Sequence, residues 1–458
     1  MRIKNLQSLL DNAPSEKSRE ARRLALLAAE RAVDAADPKE AVSRFIELED
    51  GVIRLSDGSL IGPVKRVFVV GAGKAAGKMA EALWELFGEK ISAGIVNVPA
   101  GTEKMVKTGR IRANPAGHPI PDEGTLRGTE EMLDMLSSAE EGDLVVCVIS
   151  GGGSALLERP LPGISLSDLI ELNRILLRSG ANIHEINSVR KHVSMVKGGR
   201  LAAATRARVL SLIISDVIGD PLDTIASGPT APDTTTFLDA LRVLKKYDLV
   251  EEVPPSVLRA LREGSEGRLP ETPKPGDEVF SRVRNVIVAS NSQSVRAAAS
   301  YLEEEGLSVI NLGSFVEGEA RHVGVVLAGI GQGILHQSRP APPPAAVVCG
   351  GETTVHVTGG GLGGRNQELV LGAVEKISGE EGICILSLGT DGIDGVTDAA
   401  GALADGHTYD RAMERGMDPS DYLKDNDSYN FFKELGDLIF TGPTLTNVMD
   451  VMVVVALG

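Results

Sequence analysis

The chain has 458 residues, 42% of them hydrophobic and 24% charged, so it is long enough for two or three soluble domains with cores of their own. The formal net charge of -16 argues against a nucleic-acid groove or an anionic membrane surface as partner, because both need spread positive charge. Three scattered cysteines, no apolar stretch of about 20 residues and no secretory signal at the N-terminus predict a cytoplasmic protein in a reducing compartment, without a disulfide framework or a cysteine zinc site.

Helical and strand patterns alternate through the first half of the chain. Residues 16–48 are rich in Ala, Glu and Arg at helical spacing, which predicts one long helix ahead of the first strand. Short apolar runs follow at 67–70, 95–98, 144–149 and 209–214. This alternation predicts a largely parallel sheet with helices on both faces. Ligands of such sheets bind beyond the carboxyl ends of the strands, so the residues that follow each run are the functional candidates.

The stretch VFVVGAGKAAGKMAEAL, residues 67–83, predicts a strand, a tight turn and a helix. Gly71 and Gly73 let the turn close and expose N–H groups at the start of the helix, where an anion would also meet Lys74. The spacing matches neither GxGxxG nor GxxxxGKS/T. A purely structural glycine turn fits the same residues, so both readings of this turn stay open.

Three consecutive glycines, Gly151, Gly152 and Gly153, and the hydroxyl of Ser154 come directly after the apolar run 144–149. Small residues at the end of a strand form a nest of backbone N–H groups that suits phosphate, and Ser154 adds a hydroxyl. A glycine-rich bend without a ligand is the alternative. We favour a ligand loop, because a plain bend does not require three glycines.

The segment INSVRKHVSMVKGGRLAAA, residues 186–204, concentrates basic side chains in an acidic protein. Some of them are expected to be solvated helix charges, and the rest supply the local positive field that a nucleotide or a carboxylate needs. His192 in this segment and His118 earlier in the chain have no second ligand at metal-binding spacing. Ordinary polar packing is therefore predicted for both histidines.

The chain changes character after residue 245, where proline, glycine and charge mix, and we place the domain boundary there. A proline-rich connector at 338–346 leads into the last block. In that block, the glycines of GGGLGGRNQELVLGAVEKI precede Arg365, whose planar fork suits a carboxylate or a transferring phosphoryl group. Asn366 is predicted to cap a helix that runs through Ile377.

Two carboxylates follow apolar runs directly. Asp216 in SDVIGD follows the run 209–214, and Asp391 in GTDGIDGVTDAAGA follows a strand predicted at 383–388. Carboxylates at a strand end can hold Mg²⁺ or accept a hydroxyl proton. Aspartates in glycine-rich turns also cap the backbone, so the metal role and the capping role both stay open.

Eleven strings in chain order resemble the glycerate 2-kinase family, whose C-terminal portion is called the MOFRL domain. They are GAGKAAGKMAEAL, AGHPIPDE, SGGGSALL, INSVRKHVSMVKGGRLA, SDVIGD, SGPTAPDTTT, GGETTV, GGRNQEL, GTDGIDGVTDAAGA, NDSYNFF and TGPTLTN. The resemblance covers most of the chain. It departs at TGPTLTNVMD, where glycine would be expected in place of Leu445.

The resemblance implies an ATP-dependent kinase that phosphorylates D-glycerate at its 2-hydroxyl and gives 2-phosphoglycerate and ADP. It also implies two α/β domains with an active cleft between them. The N-terminal domain, residues 1–245, is expected to be Rossmann-like with a largely parallel sheet. The C-terminal domain, residues 246–458, is expected to contain the MOFRL region near 346–455. Lys74 and Arg365 fall where the family has proposed active-site residues.

Phosphoryl transfer needs in-line positioning and positive charge against the moving group. Given the resemblance, Lys74 and Arg365 are the predicted catalytic and substrate-binding residues. Asp216 and Asp391 are candidates for holding Mg²⁺ or another divalent metal, or for the base. The predicted nucleotide-binding residues are Gly151, Gly152, Gly153, Ser154, Asn187, Lys191 and Lys197.

Two other functions stay open beside the kinase. An NAD(P)-dependent hydroxypyruvate reductase would use the glycines from Gly71 to Gly77, but a dinucleotide site also needs an acid at the end of the next strand, which reads IVNVPAG here. A non-catalytic sensor of sugar acids or sugar phosphates would use the same glycine loops without turnover. Small molecules are the expected partners in every case, and the sequence does not predict the oligomeric state.

Overall fold

The computed structural model of the protein describes residues 2–49 and 52–458, and they form two compact units that do not follow chain order. Pro38–Val288 form one unit, which we call the parallel-sheet unit. The residues up to Asp37 join Ala289–Gly458 in the other, which we call the mixed-sheet unit. No helix within the two described ranges is both long and apolar enough to cross a membrane.

The helices and strands are, in chain order, α1 Leu6–Asp11, α2 Glu16–Ala35, α3 Pro38–Phe45, β1 Ile46–Glu49, β2 Val52–Leu55, β3 Leu60–Ile61, β4 Val67–Ala72, α4 Ala76–Phe87, β5 Ile91–Pro99, β6 Ile111–Ala116, α5 Glu123–Ser138, β7 Leu144–Ile149, α6 Gly153–Leu156, α7 Leu166–Arg178, α8 Ile183–His192, α9 Arg200–Ala203, β8 Arg208–Ile214, α10 Phe237–Lys246, α11 Pro255–Ser265, β9 Val283–Ala289, α12 Asn291–Glu304, β10 Ser308–Asn311, β11 Val316–Glu319, α13 Ala320–Gln337, β12 Ala345–Thr354, α14 Arg365–Val374, β13 Ile383–Gly389, β14 Gly401–Asp405, α15 Thr408–Met413, α16 Pro419–Asp425, α17 Ser428–Leu435, β15 Leu438–Ile439 and β16 Asp450–Ala456.

The parallel-sheet unit is built on a six-stranded sheet of order β6-β5-β4-β7-β8-β9. The pairs from β6 to β8 are parallel, and β4 and β7 are buried along their whole length, as expected for central strands covered by helices on both faces. A small antiparallel sheet, β1-β2-β3, precedes it. Because parallel strands all end at the same edge, the loops after β4, β6, β7 and β8 meet there.

The mixed-sheet unit has the order β10-β12-β16-β13-β14-β15, and β11 also pairs with β12. Its central strand β16 runs antiparallel to both β12 and β13. Alternate residues of β16 face opposite sides, because side chains alternate along a strand. Val451, Val453 and Val455 pack against α2 and α12, whereas Met452 and Val454 pack against α13 and α14.

A buried ion cluster fixes the N-terminal helix α2 to the mixed sheet. Arg22 donates from Nε to Asp405 Oδ2 at 2.7 Å and from Nη1 to Asp437 Oδ1 at 2.8 Å, and none of the three side chains is exposed. The two carboxylates raise the pKa of Arg22 against the opposing effect of its burial. A buried charge must be paired, so this contact ties the start of the chain to residues almost 400 positions later.

The predicted fold class is confirmed, with α/β units and a largely parallel sheet in the N-terminal part. The single helix predicted over 16–48 is wrong: α2 ends at Ala35, and Pro38, which lacks an N–H donor, begins a separate helix. The division into compact units also differs from a boundary at 245. That position lies inside α10, which packs against α8 and α11 of the same unit.

Candidate functional site

The predicted loops do meet at the carboxyl edge of the parallel sheet. Lys74 follows β4, His118 follows β6, and the Gly151–Ser154 loop follows β7. The backbone N–H of Lys74 donates to the carbonyl of Gly151 at 2.9 Å, which joins the loops after β4 and β7 directly. A Cβ built on Gly152 would lie 2.9 Å from the His118 ring and 3.5 Å from Lys74 Cγ. These side chains therefore pack against the glycine loop.

The glycines before Lys74 serve the close approach of two strands. A Cβ on Gly71 would lie 1.9 Å from the carbonyl oxygen of Val148, and one on Gly73 would lie 2.0 Å from Ser150 Oγ. Both have positive φ, 147° and 141°. The structural interpretation of this turn thus accounts for Gly71 and Gly73, and Lys74 is the functional candidate of the segment.

A pocket of about 450 Å³ opens beside the Gly151–Ser154 loop within the parallel-sheet unit. It is lined by His118, Pro119, Ile120, Pro121, Gly152, Ser154, Ala155, Ile170, Asn173, Arg174, Leu177 and Arg190. Most of these side chains are apolar, and the charged ones are arginines, with no Asp or Glu among the lining residues that the structure describes. Such a pocket suits a ligand that combines an anionic group with an apolar part.

The two arginines of the pocket differ in how they are held. Arg190 donates from Nε to Asn173 Oδ1 at 2.6 Å, and burial lowers the pKa of its guanidinium. Arg174 pairs with Glu171 on the same helix and is half exposed. Partial desolvation and the charge of Lys74 lower the pKa of His118, so its imidazole is neutral at pH 7.

Of the predicted nucleotide-binding residues, Lys191 and Lys197 lie inside the protein, where internal partners take their charges. Lys197 is 1% exposed and its Nζ contacts Glu158 Oε2 at 2.7 Å. The same Nζ donates to the carbonyls of Ser154 and Leu157, each at 2.9 Å. Lys191 Nζ lies 3.3 Å from the buried carboxylate of Asp233. Lys197 thus supports the glycine loop from beneath, and neither ammonium lines the pocket.

Asn187, the remaining predicted residue of this segment, reaches the loop through a buried serine. Ser227 Oγ donates to Asn187 Oδ1 at 3.1 Å and lies 3.0 Å from Ser154 Oγ. Ala226 and Ser227 have φ of 51° and 61°, a left-handed backbone that is costly for residues other than glycine. A Cβ on Gly153 would lie 2.7 Å from Ala226 Cβ. This strained turn therefore packs directly on the glycine loop.

Arg365 begins α14 in the mixed-sheet unit and is surrounded by carboxylates. It donates from Nε to Asp450 Oδ2 at 2.6 Å and from Nη2 to Asp450 Oδ1 at 3.0 Å. Its Nη1 lies 2.8 Å from Glu352 Oε1. Asp450 is fully buried, and burial raises its pKa to about 6 although Arg365 acts in the opposite direction. The planar fork predicted for a ligand is thus occupied in part by Asp450.

Four of the six backbone N–H groups of the glycine-rich loop 359–364 donate hydrogen bonds within the protein. The N–H groups of Gly359 and Gly360 donate to Asn426 Oδ1 and Asp425 Oδ1, both at 2.9 Å. The helix start is also satisfied, because the buried carboxylate of Asp394 accepts the N–H of Asn366 at 3.1 Å and that of Gln367 at 2.9 Å. Most of this backbone is therefore bonded to the protein itself and holds the start of α14 in place.

The prediction that Asn366 caps this helix is wrong, because Gly364 is the N-cap and the distant Asp394 supplies the acceptor. Asn366 instead donates to Asp450 Oδ1 at 3.1 Å and accepts from Ser387 Oγ at 2.6 Å. The helix ends at Val374 rather than at Ile377.

The two carboxylates predicted to hold a metal lie in different units. Asp216 follows β8 in the parallel-sheet unit, and Asp391 follows β13 in the mixed-sheet unit; both are half-buried. Asp391 Oδ1 accepts the N–H of Ile393 at 3.2 Å, which is the capping role left open by the sequence. Among the described residues, no three His, Cys, Asp or Glu side chains group closely enough to hold a metal ion by themselves.

Sequence reasoning missed three residues of this region. His118 and Arg190 line the pocket, and Ser227 links Asn187 to the glycine loop. For His118 a signal existed, because it follows the carboxyl end of β6, where ligands of parallel sheets bind. For Arg190 and Ser227 the sequence offers no such position, since only the packing of α7 against α8 and of the strained turn against the loop decides where they point. His192 has the polar packing that was predicted, and its ring nitrogens are bonded to Ser188 O and Glu271.

Two protein-family models match this chain. A family model described as a domain of unknown function (DUF4147) matches residues 24–262, and the MOFRL family model matches residues 345–450. The chain is thus a two-unit α/β protein of the MOFRL class, with its cationic pocket in the part that DUF4147 matches.

The relatives are more specific. A glycerate 2-kinase from Pyrococcus horikoshii is 45% identical over 93% of this chain and 94% of its own length. The crystal structure of a glycerate kinase from Thermotoga maritima covers 95% of this chain and 99% of its own with a TM-score of 0.85 and 41% identity. A proposed hydroxypyruvate reductase from Agrobacterium vitis is 43% identical over 85% of this chain and 87% of its own length. The chain belongs to the glycerate 2-kinase family, as the sequence strings predicted.

Proposed function

We propose that this protein is an ATP-dependent kinase that phosphorylates D-glycerate at its 2-hydroxyl and gives 2-phosphoglycerate and ADP. The observation that carries the proposal is the likeness to glycerate 2-kinases over nearly the whole of both chains. The pocket supports it independently, because a cationic, largely apolar cavity in a protein of net charge -16 is suited to a nucleotide.

The nucleotide phosphates are assigned to the Gly151–Ser154 loop and Lys74. The loop follows a buried strand, packs against the Lys74 side chain and forms one wall of the pocket. Lys74 then supplies positive charge to the moving phosphoryl group, which is the main demand of phosphoryl transfer. Lys197 and Asn187 act indirectly, by positioning Ser154. Lys197 donates to the Ser154 carbonyl, and Asn187 is linked to the Ser154 hydroxyl through Ser227.

Arg365 is assigned to glycerate or to the transferring phosphoryl group. Two of its nitrogens are fixed by Asp450, while Nη1 faces the more exposed Glu352. An incoming carboxylate or phosphoryl oxygen can replace Glu352 at Nη1 without disturbing the buried pair. Asp450 then acts as the group that orients the guanidinium.

Mg²⁺ is proposed as the companion of ATP. It prefers oxygen ligands and, in nucleotide sites, takes one or two carboxylates together with phosphate oxygens, so Asp216 and Asp391 have the right chemistry to hold it. When bound, the ion neutralises charge on the nucleotide phosphates. Cytoplasmic location likewise stays a prediction.

The reductase is the second candidate, because one relative carries that name. Two observations weigh against it here. Gly71 and Gly73 are explained by their close approach to β7 and to Ser150 after it. The strand β5, which pairs with β4, contains no Asp or Glu that could bind a ribose. The kinase assignment therefore explains more of the site.

The decisive experiment supplies D-glycerate with ATP, or hydroxypyruvate with NADH, and identifies the phosphoglycerate isomer by ³¹P NMR. We expect 2-phosphoglycerate, and Lys74→Ala should lower kcat by about a hundredfold, since one lost transition-state contact costs about 3 kcal/mol. Lys78→Ala is the matched control, because Lys78 pairs with Glu81 at 2.7 Å one turn into the next helix. Oxidation of NADH without phosphoryl transfer, or full activity of Lys74→Ala, would refute the assignment.

A further inference from the structure

The basic segment 186–204 places one cation in the pocket, and it is not one that the sequence singles out. Lys191 and Lys197 are buried against Asp233 and Glu158. Arg190, between them in the chain, lines the pocket instead. The anionic part of a ligand in this pocket would therefore meet Arg190.

The Arg190 side chain is fixed in an orientation that suits contact with an anion. Its Nε is fixed by Asn173 Oδ1 at 2.6 Å, and Asn173 is itself fixed by donating from Nδ2 to Leu169 O at 3.0 Å within α7. No acceptor for Nη1 or Nη2 of Arg190 is found in the part of the chain that the structure describes. A guanidinium fixed at one edge, with its two terminal nitrogens open, is arranged for an anion with more than one oxygen.

The rest of the pocket has a different character. Ile120 and Leu177 are 58% and 66% exposed, and together with Ile170 they contribute apolar side chains to the lining of the pocket. Exposed apolar side chains that line one cavity mark a ligand with apolar surface. Glycerate does not provide it, because each of its three carbons carries oxygen, and neither does a polyphosphate chain. A nucleoside has both an apolar base and the phosphates.

We propose that Arg190 binds the phosphates of the nucleotide and that Ile120, Ile170 and Leu177 form the seat of its base. This inference rests on the proposed kinase function and assigns the pocket to one of its two substrates. It separates two kinds of contact, a charged one that any polyphosphate would use and an apolar one that only a nucleoside would use.

Calorimetric titration with ADP and with inorganic tripolyphosphate distinguishes these contacts. Arg190→Gln should weaken both ligands by about tenfold or more, the usual effect of losing a charge-assisted hydrogen bond. Leu177→Ser should weaken ADP alone and leave tripolyphosphate within twofold of wild type, since the side chain is two-thirds exposed and carries no charge. Arg178→Gln is the matched control for the loss of charge, because Arg178 is exposed at the end of α7 and does not line the pocket.

Steady-state kinetics adds a measurement that a purely structural effect would not produce. Arg190→Gln should raise KM for ATP and leave KM for D-glycerate unchanged, and Arg190→Lys should lie between it and wild type. Circular dichroism establishes that each variant is folded, and if Arg190→Gln does not fold, Arg190→Lys with Leu177→Ser carries the same test.

Three results would overturn the proposal: ADP bound by folded Arg190→Gln as tightly as by wild type, tripolyphosphate weakened by Leu177→Ser as much as ADP, or a rise confined to the KM for glycerate. A failure of the proposed kinase function would be distinguishable from these results. In that case the wild type would form no 2-phosphoglycerate, whether or not it binds ADP. Binding of ADP by that inactive wild type, lost in Arg190→Gln, would still support the nucleotide assignment of the pocket.

Discussion

Replacing Arg365 with lysine tests the mixed-sheet cluster directly, because the guanidinium makes contacts that an ammonium cannot reproduce. Arg365 holds Asp450 through two nitrogens at 2.6 and 3.0 Å and Glu352 through a third at 2.8 Å. Lysine keeps the charge but loses the planar fork. From the sequence alone we would expect little change in folding, and the buried Asp450 corrects that expectation.

The magnitude follows from the burial of the pair. Removing one partner of a fully buried pair costs about 3–5 kcal/mol. Asp450 is fully buried but the Arg365 side chain is 34% exposed, so we expect a loss of about 3 kcal/mol for Arg365→Ala and about half of that for Arg365→Lys. Turnover should fall by about a hundredfold in both variants, because neither places an Nη1 donor that Asp450 holds in position for the incoming oxygen.

The pH dependence of stability provides an internal check. Burial raises the pKa of Asp450 to about 6, above its usual value of 3.8, so the folded state binds this proton more tightly than the unfolded state. Stability from this group is therefore gained as pH falls from 6 to 4, by roughly 2–3 kcal/mol, and is constant above 6. In Arg365→Lys the pKa of Asp450 should rise further, which moves the start of this gain to higher pH. Asp450→Asn should abolish it.

The assay is steady-state kinetics with D-glycerate and ATP varied separately, after melting curves have established folding. Glu352→Gln is the control, because it replaces the charged partner of Nη1 with a neutral one and leaves the pair with Asp450 intact; KM for glycerate should fall or stay the same. A rise confined to the glycerate KM in Arg365→Lys would place Arg365 on the substrate. A lysine variant within a few-fold of wild type in every parameter would show that Arg365 contributes only a general positive charge, and the reasoning would be refuted.

Two further predictions concern stability. Leu445 has φ of 61°, a left-handed backbone, so Leu445→Gly should raise the unfolding free energy by about 0.5–1 kcal/mol whereas Leu445→Ala should lower it; equal losses in thermal melts would contradict this. Arg22→Ala should destabilise the mixed-sheet unit by about 3–5 kcal/mol, because Asp405 and Asp437 lose their buried partner. If chemical denaturation finds no difference between Arg22→Ala and wild type, the cluster does not hold α2 to the sheet.

Leu445 also shows how much a family sequence pattern predicts about the backbone. Its position was expected to hold glycine, and the backbone there has the left-handed conformation that favours glycine. The turn is thus kept although the side chain is unfavourable. The position where the sequence departs from the expected glycine is thus one where the backbone is left-handed. Only the structure shows that the turn keeps this conformation with leucine in place of glycine.

The strands of the parallel sheet could be predicted because their signal is local. Apolar runs at 67–70, 144–149 and 209–214 became β4, β7 and β8 within two residues of the predicted ends. The place of residues up to Asp37 could not be predicted, since it depends on Arg22 finding Asp405 and Asp437 near the other end of the chain. A helical pattern shows which face is apolar and does not show which sheet will cover it.

The two glycine-rich loops, around Gly152 and around Gly359, differ in what lies next to their backbone. Around Gly152 the neighbours are Lys74 and His118, and a pocket lies beside them. Around Gly359 the neighbours are Asp425 and Asn426, whose oxygens take the loop N–H groups. The two stretches look alike in sequence, because glycine spacing indicates only that another group comes close to the backbone. Whether that group is a ligand or the protein's own acceptors is decided by residues tens of positions away, and for this reason the first loop supports a binding site and the second supports the position of Arg365.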